Sequence, residues 1–350
     1  MKKFSVILTL VLVLSLLAGC AGTTVVYQTN CTCPVGSHDV TVQEPTPTEA
    51  PAATEAPVQA EGAVKTGLAI VSSIKVTDPT ADAAGKASYD VTFVAVNVDD
   101  NGVITACTFD SLGSDVAFDA TGAITSEGGA VMTKHELGYD YGMVAYKAST
   151  MEWFEQANAL AAYAVGKTVE ELKTGAVGET GYAQDADLLS SATIYLGGYV
   201  SAIEKAVANA KHLGAQAGDE LKLATINNVA DGNLTSDAVV LTMKDGVITS
   251  CYLDSLQATL NIAEDGVVTA GNTLTKNELG YDYGMVAYKA STMEWFEQAE
   301  GFAAYVTGKT AAEVSGIAID EGTKPTDTDL TASCTIAIGG FQALIAKAAQ

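Results

Sequence analysis

The sequence contains no arginine: all 18 basic side chains are lysine, against 42 acidic ones, for a formal net charge of -24. Without a guanidinium there is no bidentate clamp, so an anion has to be held by Lys, backbone N–H groups or helix N-termini. The same imbalance excludes nucleic acid as a partner, because phosphate binding needs a basic footprint that releases counterions. Histidine is scarce as well: His38, His135 and His212 are the whole supply. That leaves little for zinc or triad chemistry, and no metal site or catalytic residue is assigned. Charged residues make up only 17% of the chain while hydrophobic ones reach 48%, which describes a folded protein. A length of 350 residues suits about two domains of ordinary size.

Long apolar runs are also missing, apart from the start of the chain. After Lys2-Lys3, the run Phe4 to Leu17 is too short for a comfortable membrane span and has the layout of a secretion signal. It ends in Leu17-Ala18-Gly19-Cys20, which looks like a bacterial lipobox. The expectation is a lipoprotein signal peptide over 1–19, lipid on Cys20, and a mature chain held at the outer face of the cytoplasmic membrane or at the cell surface. Of the six cysteines, Cys20 aside, Cys31, Cys33, Cys107, Cys251 and Cys334 remain, an odd number in a compartment that permits disulfides. Residues 20–65 read as a lipid-attached stalk: between Glu44 and Glu61 the chain is Pro, Thr, Ala, Glu and Gln, too poor in apolar surface to order itself.

The rest is a duplication. Glu136 to Ala157 and Glu278 to Ala299 are identical, and Asn101-Gly102-Val103-Ile104 parallels Asp245-Gly246-Val247-Ile248. Copies at 66–214 and 217–350 are expected to be two domains of one fold, since the period is far too long for a solenoid unit. Turns at Asp100-Asn101-Gly102 and Lys244-Asp245-Gly246 predict hairpins, with a further strand pair around Thr121-Gly122 and Asp265-Gly266. Ser149 to Glu152, repeated at Ser291 to Glu294, reads as a capping box opening a helix through Tyr163 that Gly166 closes. Boxes at Thr168 to Glu171 and Thr310 to Glu313 start a short helix, and the last helix is expected near Ser191 or Ser333. Strands followed by helices in each copy indicate an α+β fold.

A function performed by both copies should use residues present in both. That filter removes His135, which is Asn277 in the second copy, and keeps Lys134/Lys276, Glu136/Glu278 and Lys147/Lys289. It also keeps the loop Gly138-Tyr139-Asp140-Tyr141-Gly142 with its counterpart around Tyr281 and Tyr283. Tyrosine faces can stack on a planar ring for roughly 0.5–1.5 kcal/mol beyond area burial. Asp187-Leu188-Leu189-Ser190-Ser191-Ala192-Thr193 and Asp329-Leu330-Thr331-Ala332-Ser333-Cys334-Thr335 put hydroxyls where a helix is expected to start, a place that attracts phosphate or serves as a plain N-cap.

This order of features resembles the FMN-binding domain of the flavin-carrying subunits in sodium-pumping quinone reductase and Rnf electron-transport complexes, also found in surface electron-transfer lipoproteins. The family has an Asp-Gly-x-Ile turn, as at Asp245-Gly246-Val247-Ile248, and a central loop to which Glu136-Leu137-Gly138 and Glu278-Leu279-Gly280 are similar. It ends in Asp-x-x-Ser/Thr-Gly-Ala-Ser/Thr, whose last hydroxyl receives FMN from a flavin transferase. Asp187 to Thr193 fits except for Ser191 at the Gly position; Asp329 to Thr335 departs further, at Ala332, Ser333 and Cys334.

The resemblance implies FMN, covalent at Thr193 and, with the poorer match, at Thr335. Asp187, Asp329, Ser191 and Ser333 would flank the attachment, Glu136 and Glu278 orient the cofactor, and Tyr139, Tyr281, Tyr141 and Tyr283 contact its ring. It further implies an electron carrier rather than a catalyst, with a membrane redox complex and a flavin transferase as partners. The competing expectation is a non-redox surface module that binds a ligand or partner protein.

Overall fold

In an isolated sheet one face is wet and side chains alternate polar and apolar, but Phe93 to Val98 is buried without interruption. Such a run requires cover on both faces. The computed structural model describes residues 62–147, 149–289 and 291–350, and supplies both covers. Signal segment, Cys20 and stalk up to residue 61 lie outside the described residues. Ala63 already bridges Gln216 and Val64 is buried, so the last stalk positions belong to the fold.

Three antiparallel strands, Lys65–Thr77, Gly85–Val98 and Ile104–Phe118, form the first sheet in chain order. Glu220–Ala230, Asn233–Lys244 and Val247–Ala258 form the body of the second. Its edge gains a short strand of the first copy, Gly129 pairing with Val229 and Ala130 with Asn228. The hairpin turns fall where expected, with Gly102, Asp245 and Gly246 at positive φ. The additional strand pair forms in the second copy, Leu260–Ile262 against Val268–Ala270. In the first copy it is reduced to a bridge from Phe118 to Ile124.

The two-residue period sorts the strand side chains into different cores. Val94, Val96 and Val98 face the helices Trp153–Ala164 and Gly197–Ala208. Ala87, Tyr89, Val91, Phe93 and Ala95 face the other way and pack against Leu234, Ala238, Val240 and Leu256 of the second sheet. That sheet in turn presents Val239, Leu241 and Met243 to Trp295–Val306 and Gly339–Ala348. The chain is therefore mixed α/β, with its two main sheets back to back and helices on the outer faces. Among the described residues, 62–350, both copies lie in one compact unit.

Polar links cross the sheet interface. The buried Tyr89 hydroxyl donates to Gly232 O at 2.6 Å, and burial pushes its pKa up to about 12. Thr66 and Ser250 hydroxyls meet at 2.8 Å. Two lysines make reciprocal bridges from the final helix of each copy. Lys205 pairs with Glu278 at 2.6 Å and donates to Ile70 O, while Lys347 pairs with Glu136 and donates to Thr225 O. Partial burial raises the Glu136 pKa, but the Lys347 ammonium and the Thr133 N–H outweigh it and hold the carboxyl below its usual range.

Two helix starts differ from expectation. Trp153–Ala164 is capped by Glu152, not Ser149, with Glu155 accepting the Glu152 N–H at 2.7 Å; Glu294 and Glu297 repeat this. Ser149 instead closes a local turn onto Met151. The last helices begin at Gly197 and Gly339, beyond Ser191 and Ser333. Thr168 and Thr310 cap as expected.

Replacing both Glu136 and Glu278 by Gln is expected to lower unfolding stability by about 1–2 kcal/mol, since each loses a half-exposed ion pair and weakens a cap. Denaturant melts of the single and double variants check this; no loss in the double variant rules out the reciprocal bridges as stabilising.

Candidate functional site

The identical segment builds a lysine–aromatic cage. Thr133 caps the short helix Lys134–Leu137, its hydroxyl accepting the Glu136 N–H while Glu136 accepts the Thr133 N–H at 2.7 Å, and this sets where Lys134 leaves the backbone. One tight turn, Gly138–Tyr141, follows. Gly142 then reverses the chain at φ 72, where a Cβ would lie 2.5 Å from the Tyr146 ring. The buried Glu152 carboxylate accepts N–H groups of Met143 at 2.8 Å and Val144 at 3.0 Å, fastening the loop to the Trp153 helix.

Two ammonium groups thereby stand over the Tyr141 ring. Lys134 Nζ lies 5.4 Å from its ring centroid and Lys147 Nζ 4.3 Å, with Lys134 also 5.2 Å from the Trp153 ring. Trp153 Nε1 donates to the Tyr199 hydroxyl at 2.9 Å. These side chains, with Tyr195 and Ile194, line a cleft of 530 Å³, within the usual range for small-molecule sites. Asp90 is the acidic side chain on its lining. Among the described residues neither Lys134 nor Lys147 pairs with a carboxylate, whereas Lys65, Lys86, Lys173, Lys205, Lys211, Lys222 and Lys347 do.

No family model, curated protein or solved structure matches the chain. The site is therefore read from its own geometry. The second copy keeps the cage: Lys276 lies 5.3 Å from Tyr283 and 4.9 Å from Trp295, and Lys289 lies 4.7 Å from Tyr283.

The residues singled out from sequence fall into several places. Tyr141 and Tyr283 are at the centre of the cages. Tyr139 and Tyr281 are exposed, standing edge-on to Phe154 and Phe296 at 5.3 Å. Glu136 and Glu278 cap short helices and bridge the copies. Thr193 is exposed, and its N–H and hydroxyl donate to Gln156 Oε1 at 2.8 and 3.1 Å. Thr335 does the same to Gln298.

Asp187 and Asp329 sit in the first turns of four-residue helices capped by Asp185 and Asp327. Ser191 donates to Asp187 O and Leu188 O, and Ser333 to Leu330 O. Neither segment is at a long helix N-terminus, because Gly197 and Gly339 begin those helices. Thr193 directly precedes Ile194 on the cleft lining. Cys20 lies outside the described residues. Cys107, Cys251 and Cys334 are free thiols. Among the described residues no cluster of three or more His, Cys, Asp or Glu converges as a metal site.

Asp110 and Asp254 escaped the sequence reading. They lie mid-strand in the repeated Asp110-Ser111-Leu112 and Asp254-Ser255-Leu256, Asp254 buried and Asp110 partly buried, where an acid follows an apolar residue in a core strand. That paired acid was the available signal. Each carboxylate accepts two backbone N–H groups, Ser111 and His135 in the first copy, Ser255 and Asn277 in the second. Burial pushes Asp110 up, and brings Asp254 to about 6.

An acid whose folded pKa is raised holds its proton more tightly in the folded chain. Its contribution to stability is therefore greatest below the ordinary carboxylate range and declines as pH rises through about 6. Between pH 5 and 7 the decline is about 1 kcal/mol for a shift of that size. Asp254→Asn, which keeps an acceptor oxygen, is expected to flatten this part of the stability profile. Unfolding curves at pH 5, 6 and 7 that stay parallel for the two proteins would show that Asp254 does not titrate there.

Proposed function

We propose that the cleft of the first copy binds a small anionic molecule with a planar aromatic ring, and that FMN is this molecule. On this reading the chain, lipid-anchored through Cys20 outside the cytoplasmic membrane, is a flavin-dependent electron carrier. The observation that carries it is the pair Lys134 and Lys147, unneutralised by carboxylates in a strongly acidic chain and flanking Tyr141 beside Trp153 and Tyr199. In a protein without arginine, two lysines aimed at one aromatic-lined space are the means available for holding a phosphate next to a ring.

The residues present fit the group. Tyr141, Trp153, Tyr195 and Tyr199 offer faces and edges for the ring and displace water from it; Lys134 and Lys147 supply the charge for the phosphate. Bound there, FMN supplies the redox chemistry, and the protein contributes position and electrostatics. Thr193 suits the role of attachment point in one further respect. Its hydroxyl can be esterified without orphaning Gln156, whose Oε1 still receives the N–H groups of Thr193 at 2.8 Å and Ile194 at 3.1 Å. A membrane redox complex and a flavin transferase are the partners this reading requires.

One observation favours the competing reading of a non-redox module that binds a ligand or partner protein. Tyr146 and Tyr288, in the identical segment, are each 86% exposed and have no part in the cleft lining.

Titration of the protein with FMN and riboflavin separates the two. FMN is expected to bind and riboflavin, lacking the phosphate, to bind at least about tenfold more weakly. The double change Lys134→Ala and Lys147→Ala should abolish that preference, as expected for two charge-assisted contacts. Protein exported in a host with a flavin transferase should show flavin fluorescence on a denatured gel band that Thr193→Ala removes. A chain that neither binds FMN nor carries it leaves the non-redox module.

A further inference from the structure

The two cages differ in one wall. Lys134/Lys276, Tyr141/Tyr283, Met143/Met285, Lys147/Lys289 and Trp153/Trp295 are the same residues in both copies, but Tyr195 corresponds to Ala337 and Tyr199 to Phe341. The loss of Tyr195 is not an isolated change. In the first copy its ring lies against two glycines: a Cβ on Gly181 would be 2.1 Å from Tyr195 Cε2, and one on Gly197 would be 2.9 Å from its hydroxyl. No real side chain fits at those separations, and Gly181 adopts φ 80, a conformation suited to glycine.

In the second copy the position of Gly181 is taken by Thr323, held at φ 60, where a β-branched residue is strained. One backbone hydrogen bond at this turn is the same in both copies. Leu196 N–H donates to Gly181 O, and Ile338 N–H to Thr323 O, each at 2.8 Å. The Thr323 side chain is what a Cβ on Gly339 would meet, at 3.1 Å. Thr323 thus stands beside Gly339 much as Tyr195 stands beside Gly197, so a side chain at the Gly181 position and a tyrosine ring in the place Tyr195 takes compete for the same space.

At the position of Tyr199 only the hydroxyl is lost. The two rings stand at like distances, Tyr199 6.1 Å from Trp153 and Phe341 6.0 Å from Trp295, but the Tyr199 hydroxyl accepts the Trp153 N–H and Phe341 offers no acceptor. Gly181 and Tyr195 are therefore a seat and its occupant, and Tyr195 with the Tyr199 hydroxyl completes a wall that the second copy lacks. Resting on the ligand reading above, the geometry points to a single working site per chain, in the first copy. Tyr195 and Tyr199 are its specificity-determining residues, and the second cage is a structural remnant with the lysines but not the wall.

FMN titration of the full chain, read as stoichiometry by calorimetry and native mass, tests this. One FMN per chain is expected. Tyr195→Ala, at a half-exposed side chain, should weaken binding about fivefold with the melting temperature unchanged. Gly181→Ala, which keeps the tyrosine but displaces its ring, should weaken binding to a similar extent and also lower the melting temperature, because Ala is strained at φ 80.

The triple change Thr323→Gly, Ala337→Tyr and Phe341→Tyr should raise the stoichiometry from one to two. Two FMN per unmodified chain, or one FMN lost on changing Lys276 and Lys289 rather than Lys134 and Lys147, overturns the asymmetry while leaving a flavin site standing. Unchanged affinity in both Tyr195→Ala and Gly181→Ala overturns the role of the wall. No FMN bound at all overturns this inference together with the reading beneath it.

Discussion

Back-to-back packing of the two sheets is the constraint on which the rest depends. It makes the central strands apolar on both faces, so that a run such as Phe93 to Val98 serves two cores at once. It also places the final helix of each copy against the short capped helix of the other, which is why Lys205 reaches Glu278 and Lys347 reaches Glu136. A surface ion pair contributes little alone. These two are only partly exposed, and each lysine also donates to a backbone carbonyl, Lys205 to Ile70 O and Lys347 to Thr225 O, so each pair ties one copy to the other.

The same packing explains why the duplicated segment can be identical and still serve different ends. The Glu at its start is committed to the interface, and Glu152 and Glu294 to tying the loop onto the helix. The lysines and Tyr141 or Tyr283 are what is left facing outward. Whether they surround a usable space depends on residues outside the identical stretch. In the first copy Tyr195 and Tyr199 provide a wall, seated on Gly181 and on Trp153. In the second, Ala337 leaves that side open and Phe341 keeps the ring without the hydroxyl.

Much of the local structure was legible in the sequence. Asn-Gly and Asp-Gly turns set the hairpins, and Thr168 and Thr310 announced their caps. The sheet-on-sheet contact was not legible, because a strand covered on both faces loses its alternation and cannot state what covers it. The helix after the loop was misplaced because two cap signals overlap, and Glu152 wins by serving the Met143 and Val144 N–H groups as well.

The final helices start late because Ser191 and Ser333 satisfy carbonyls behind them, while Gly197 and Gly339 make room for the ring or side chain alongside. Of the candidate site, the Tyr loop and the lysines on either side of it were visible as a repeat. The contacts of Gln156 with Thr193 and the coupling of Gly181 to Tyr195 exist only once separate segments meet.

The most direct measurement is lysine labelling with a small acylating reagent, with and without FMN, read residue by residue by mass spectrometry on the full chain. Protection of Lys134 and Lys147, with Lys276 and Lys289 labelled equally in both conditions, is the expected result. Labelling of Lys134 and Lys147 that FMN leaves unchanged contradicts the central claim.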